Sequence, residues 1–302
     1  MNHLSTLIKT LVLLLFLGAC SVSSNNELSK EAHEIEIEEW VEDRIAALKK
    51  EDGWLNLVGL HWITERTNSM GSDASNDMVV PDKFPAKIGT FTWEDSTLIF
   101  NPETLGIKHG EELVEEPLIL FSITSQEPSK SLALGSLRWT IIKRGDAIGV
   151  RIRDLDAPAV HAFAGIPRFP TSLEWRLRGS FTAYEPAKEI PITNVIGQTS
   201  MNLSPGFVSF EKDGKQYQLD ALDAGNQLYL ILADASSGID TYGGGRYLYI
   251  DKPKPNQSEV VIDFNQAYNP PCVFTPYATC PLPPRQNILD LTIAAGEKYT
   301  EK

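Results

Sequence analysis

Leu137-Arg138-Trp139-Thr140-Ile141-Ile142-Lys143-Arg144-Gly145-Asp146-Ala147-Ile148-Gly149-Val150-Arg151-Ile152 alternates apolar and other residues on both sides of a Gly-Asp pair. Period-two alternation puts Leu137, Trp139 and Ile141 on one face of a strand, and Ile148, Val150 and Ile152 on one face of the next. The glycine supplies the positive φ that a tight turn needs. The stretch therefore reads as an antiparallel hairpin with one buried face. The same pattern recurs outward from it. Phe91, Trp93, Leu98 and Phe100 flank Glu94-Asp95, and Phe207 to Phe210 and Tyr217 to Leu222 flank Asp213-Gly214, a strong two-residue turn. Leu118 to Thr124, Leu173-Trp175-Leu177, Leu228 to Leu232, Tyr247 to Ile250 and Val260 to Phe264 add further strand-like runs. No alternation of strands with helices appears, and no internal repeat. The chain is read as mostly β, an antiparallel β-sandwich or barrel-like sheets.

One segment departs from this pattern. From Ser29 to Lys50, Ile37, Trp40, Val41, Arg44, Ile45 and Leu48 recur at helical spacing. Ser29 suits the N-cap, acids crowd the first turns, and Lys49 and Lys50 followed by Gly53 suit the end. An N-terminal amphipathic helix is expected there. The 302 residues allow one large domain or two modest ones. Composition changes from Asp154 to Pro170, which sets an expected boundary near 157. On that division 29–156 is an N-terminal helix plus a β-rich half, and 157–302 is a C-terminal β-rich half with a Pro/Asn-rich motif. One continuous domain fits the same loops.

Forty acids against 27 bases give a formal charge of −13, which argues against nucleic acid as a partner. The first 20 residues are different in kind. Lys9 is followed by the short apolar run Leu11 to Phe16-Leu17, too short to span a bilayer and suited to a signal peptide. Leu17-Gly18-Ala19-Cys20 resembles the bacterial lipoprotein box, which implies a signal peptide over 1–19, acylation of Cys20 and a polar tether over 20–28. The expected partner is then a membrane, reached through the lipid anchor. Ser21 is not acidic, and by the same resemblance the outer membrane of a bacterial envelope is the expected location. Cys272 and Cys280 are left with three readings: a disulfide, buried free thiols, or a nucleophile.

No Gly-x-Ser-x-Gly, His-Glu-x-x-His, Cys-x-x-Cys or phosphate-loop pattern occurs. No cofactor signature and no metal-ligand spacing is present; a divalent metal is left open. Polar information is densest near the C-terminus. Asp234, Asp240, Tyr242 and Arg246 lie in a glycine-rich stretch, 234–246, between two strand-like runs, which reads either as a ligand-binding loop or as a hairpin loop with Arg246 paired to an acid. The stretch from Val260 to Asn287 then holds Asp263, Asn265, Tyr268, Asn269, Tyr277 and Asn287 among many prolines, which exclude a regular helix or central strand. A long irregular stretch rich in aromatics fits a functional loop, and it equally fits a structural cover in which Asn and Asp bond neighbouring backbone.

These residues carry a family resemblance. Asp263-Phe264-Asn265, Ala267-Tyr268-Asn269-Pro270-Pro271-Cys272, Cys280-Pro281-Leu282-Pro283-Pro284 and Asn287 resemble the signature of domain of unknown function 1684. Asp52-Gly53-Trp54-Leu55, Gly59-Leu60-His61-Trp62, Arg151 to Asp154, Thr241-Tyr242 with Gly245-Arg246, and Ala295-Gly296-Glu297-Lys298 are similar to the same family. The resemblance implies no reaction.

Two classes of function follow, with a third behind them. The first is binding of a small polar ligand by Tyr242, Arg246, Asp263, Asn265, Tyr268, Asn269, Tyr277 and Asn287, with charge from Arg246 and flat walls from the tyrosines. The second is a hydrolase in which Asp263, Asp240 or Asp234 serves as base or metal ligand and Arg246 stabilises developing charge. The third is a structural lipoprotein.

Overall fold

A computed structural model describes residues 28–299. The expected signal peptide, Cys20 and all of the tether except Leu28 lie outside the described residues. No helix among those described is long and apolar enough to cross a membrane.

The hairpin at Gly145-Asp146 is present. Leu137–Arg144 pairs with Ala147–Asp154 from Leu137 opposite Asp154 to Arg144 opposite Ala147, with Gly145 at φ +58° in the turn. Trp139, Val150 and Ile152 are buried on its inner face. Flanking strands extend it to a six-stranded sheet in the order Leu57–Trp62, Ala147–Asp154, Leu137–Arg144, Leu132–Leu134, Lys108–His109, Glu112–Leu113. A five-stranded sheet, in the order Met78–Val79, Thr67–Gly71, Gly89–Glu94, Thr97–Pro102, Leu118–Ser122, faces the same core. Phe91, Phe100 and Trp139 meet there at ring distances of 5.1 and 5.6 Å.

The second six-stranded sheet runs Arg246–Asp251, Gln227–Leu232, Lys215–Ala224, Thr199–Lys212, Arg176–Thr193, Glu259–Asp263, antiparallel throughout. It curls into a nearly closed barrel. Its turn at Asp213-Gly214 takes positive φ at both residues, as the sequence expects. Val208, Phe210, Leu230, Leu248, Ile262 and Phe264 fill its interior. The fold is thus mostly β with an N-terminal helix over Lys30–Lys49.

Three local readings change. The alternation at Leu173-Trp175-Leu177 is not one strand: Leu173–Trp175 is a 3₁₀ turn, because the Ser172 hydroxyl accepts from Glu174 N–H and winds the chain before the strand begins at Arg176. That strand runs 18 residues to Thr193, and its polar exposed residues gave it no apolar pattern. The helix is capped by Ser29 as expected, its hydroxyl accepting from Ala32 N–H at 3.1 Å, but it stops at Lys49. Gly53 serves a close approach instead: a Cβ there would lie 2.3 Å from the Leu48 carbonyl oxygen. Finally, the inner face of the helix is mixed, with His33, Ile37 and Leu48 buried. Its polar contacts reach past residue 157, since His33 meets Asp263 and Arg44 meets Glu297.

Candidate functional site

The polar residues of the C-terminal motif are mostly inside the protein. Arg246 is 1% exposed. Its Nη2 donates to Asp234 at 2.6 Å and to the Ile293 carbonyl at 3.1 Å, and its Nη1 donates to the Ala295 and Glu297 carbonyls at 2.5 and 3.3 Å. Asp234 accepts in addition from the Ser236 N–H and hydroxyl. Burial pulls the Arg246 guanidinium down, against the pull of Asp234. Asp263 belongs to a separate network: His33 Nε2 lies 2.7 Å away, Asn265 donates from N–H and Nδ2, and Arg176 approaches to 3.5 Å.

The asparagines replace missing ladder bonds. Asn265 exchanges two bonds with the backbone of Ser172, and Asn287 accepts from Asp220 N–H while donating to the Asp220 and Ile231 carbonyls. Asn269 donates from N–H to Glu297 and from Nδ2 to the Lys298 carbonyl. Burial pushes the Glu297 carboxyl up, against the opposing charge of Arg44. Asp240 is exposed, 3.9 Å from Lys298. Tyr242 packs edge-on against Tyr299, and Tyr277 is half-buried, its N–H on Thr275. Cys272 and Cys280 form a disulfide with Cα atoms 6.2 Å apart. Arg246 and Asp263 therefore do not converge, and among the described residues no three His, Cys, Asp or Glu gather to hold a metal.

Tyr268 is different. It lines a cleft of about 570 Å³ where three parts of the chain meet. The helix contributes Trp40, Asp43 and Arg44; the first sheet contributes Arg144 and Arg151, with Trp54 beside them; the barrel contributes Tyr229, Tyr247 and Tyr249. The tyrosines form a continuous platform. Tyr249 stacks on Tyr229 at 4.7 Å and 21°, and on Tyr268 at 6.2 Å and 14°. Burial pushes the phenols of Tyr229, Tyr247 and Tyr268 far above their ordinary range, so they stay protonated.

The cations of this cleft are poorly matched. The hairpin register sets Thr140 opposite Arg151 and Arg144 opposite Ala147, so both arginines stand on the face opposite Trp139 and Val150. Arg144 donates to the Thr279 hydroxyl and to the Lys143 carbonyl, neither of which is charged. Among the described residues, Nε and Nη2 of Arg151 are buried with no hydrogen-bond partner. Its guanidinium lies 5.4 Å from the Trp54 ring. Burial, reinforced by the like charges of Arg153 and Arg144, pushes it down to about 10, so it remains a cation at neutral pH. Arg44 is occupied by Glu297 at 3.2 Å and by the Asn269 carbonyl at 2.9 Å, above the Tyr268 ring. Asp43, exposed to solvent, is the one carboxylate among the lining residues. Trp40, Arg144 and the platform tyrosines other than Tyr268 carry no motif. The available signals were Trp54 and Arg151, which stand in stretches that resemble the family, Arg151 as a charged residue at an outward strand position.

Residues 161–298 match the family model described as Protein of unknown function (DUF1684). A solution NMR structure of an uncharacterized protein from Haloarcula marismortui is similar over 47% of this chain and 81% of that one, at 28% identity and a TM-score of 0.40. No curated protein matches the chain.

Proposed function

The chain belongs, through residues 161–298, to the DUF1684 family of unknown function, and on that premise we propose that it binds a small organic anion in the cleft between the helix, the first sheet and the barrel. One observation carries this reading: Arg151 holds two buried nitrogens without partners, beside Arg144, in a chain whose net charge is −13. A buried donor left unmade costs about 1–3 kcal/mol, more for a charged group, and perturbed or unmatched charges gather at functional sites. A carboxylate, phosphate or sulfate supplies the missing acceptors, and Arg favours such groups because its donors form a planar fork. The platform of Tyr249 and Tyr268, with Trp40 opposite, supports a flat or apolar body attached to the anion. A hydrolytic role for Asp234, Asp240, Asp263 and Arg246 has less behind it, since Asp234 and Arg246 bind each other in the core and Asp240 lies apart at the surface.

Calorimetric titration with sulfate, benzoate and phenyl phosphate tests the reading. Wild-type protein binds at least one of them, and Arg151→Met weakens that binding about tenfold to a hundredfold, the worth of one or two charge-assisted bonds. No binding of any probe, or binding that Arg151→Met leaves intact, overturns it. The proposal includes an envelope location with Cys20 as lipid attachment. Radiolabelled palmitate entering the wild type and absent from Cys20→Ala supports that part; an unlabelled wild type refutes it.

A further inference from the structure

The stretch from Asp154 to Pro170, where composition changes, walls a second cavity. Pro158 opens a helix of five residues, Pro158–Ala162, and Phe163 leaves it in extended backbone. Ala162 and Gly165 carry almost no side chain and leave room beside them. That room is a cavity of about 790 Å³, bounded by the apolar side chains of Leu55, Phe163, Ile166 and Phe274. It lies within the roughly 300–1,000 Å³ that small-molecule sites occupy. It shares no lining residue with the arginine cleft.

The charged and phenolic residues at its margin have partners elsewhere. The Lys298 ammonium lies 3.9 Å from Asp240 and 4.8 Å from the centre of the Phe169 ring, and the Tyr299 ring packs edge-on against Tyr242. Asn269, which also lines the cavity, differs from both. It is fully buried, at 0% exposure. Its N–H donates to Glu297 at 2.7 Å, its carbonyl accepts from Arg44 at 2.9 Å, and its Nδ2 donates to the Lys298 carbonyl at 3.0 Å. The last bond fixes the amide, since a reversed side chain would set oxygen against oxygen. Oδ1 is then the one polar atom of Asn269 left over, buried and without a partner among the described residues. A buried acceptor left unmade is costly. A water meets it poorly, because a buried water needs about two to four polar partners and Leu55, Phe163, Ile166 and Phe274 supply none.

We infer that this cavity takes an uncharged, largely aromatic small molecule with one N–H or O–H, which donates to Oδ1 of Asn269. The unmatched acceptor sets the polar group of the ligand, and the walls set its body. Phe163 and Phe274 meet edge-on at 6.0 Å and present an aromatic surface. No carboxylate lines the cavity to hold a cation, and its one cationic lining residue, Lys298, already faces Asp240. The wall is in place before a ligand arrives. The Cys272–Cys280 disulfide brackets Phe274, and Phe274 N–H donates to the Pro271 carbonyl at 2.9 Å. Preorganisation of this kind lowers the entropic cost of binding.

Fluorescence titration of the full chain with N-phenyl-1-naphthylamine tests the inference. The probe is uncharged, has one N–H, and brightens in apolar surroundings. It is expected to bind and to shift the side-chain amide resonances of Asn269. The ether 1-phenoxynaphthalene, of the same shape without the N–H, is expected to compete about tenfold or more less well. Ala162→Trp fills the cavity from an exposed position and is expected to weaken the probe by about tenfold or more. Arg151→Met and excess sulfate leave probe binding unchanged, which separates this site from the arginine cleft. No rise in emission, an ether that binds as well as the amine, or binding that survives Ala162→Trp overturns the inference, as does loss of the probe in Arg151→Met. The ether comparison uses wild-type protein, so it decides even if Ala162→Trp misfolds.

Discussion

Arg246 and Arg151 are both arginines with buried guanidinium nitrogens, and their surroundings are opposite. Arg246 gives both Nη atoms to Asp234 and three carbonyls, with only its Nε left without a partner, and fastens the segment 293–297 to the barrel. Arg151 has two buried nitrogens without a partner and two arginines for neighbours. The first is a contact made within the fold; the second, on the proposed reading, is one half of a contact whose other half is the bound anion. Density of polar residues along the chain, greatest around Arg246, marks where the fold is held together; the proposed site lies where one guanidinium has two unmet nitrogens.

Arg246→Met breaks this comparison most directly if it is mistaken. It strands the Asp234 carboxylate in the core and is expected to cost about 3–5 kcal/mol in denaturant unfolding; a wild-type midpoint would mean that Arg246 is no fastener. Asn287→Ala comes next, at about 2–3 kcal/mol, because it orphans backbone groups of Asp220 and Ile231. Arg151→Met behaves in the contrary way, leaving thermal stability unchanged or raised, since it removes a buried charge that no carboxylate or hydrogen bond to Nε and Nη2 compensates. A fall of the size seen for Arg246 would erase the distinction.

A pH series sharpens it. Arg151 is a cation whose pKa is depressed to about 10, so its charge is complete below that value and lost as pH rises through it. Sulfate, which does not titrate in this range, is expected to bind equally between pH 6 and 9 and more weakly above about 10. Calorimetry that finds the decline already at pH 8 would assign the binding to another group. Smallest of all, Lys215→Ala removes an exposed ion pair with Asp290 and should leave the melting temperature where it was.

The legible parts of the fold were those whose residues speak locally. The hairpins at Gly145 and Asp213-Gly214 combine alternation with a turn that needs positive φ, and the helix has its Ser29 cap. The strand Arg176–Thr193 was silent because few of its residues are buried, so no period-two apolar signal exists to read. At Leu173 the alternation was genuine, but the hydroxyl of the preceding residue, Ser172, captured the backbone at Glu174 first. For the site, sequence singled out Tyr268 and placed it among seven residues that do not line the cleft. Its actual neighbours run from Trp40 to Pro281, and only the folded chain makes them adjacent. That Arg246 pairs with an acid was one reading of the glycine-rich loop; that the acid is Asp234 was not legible, because the choice of partner is a fact of three dimensions.

The cleft is also divided by origin. Arg44, Arg144 and Arg151 all precede residue 161, whereas Tyr229, Tyr247, Tyr249 and Tyr268 all lie within the segment that matches the family model. Arginines and platform are therefore written in separate stretches of the gene. A descendant that kept residues 161–298 and traded the first half for another would retain the aromatic floor and change the charge above it without redesigning the barrel.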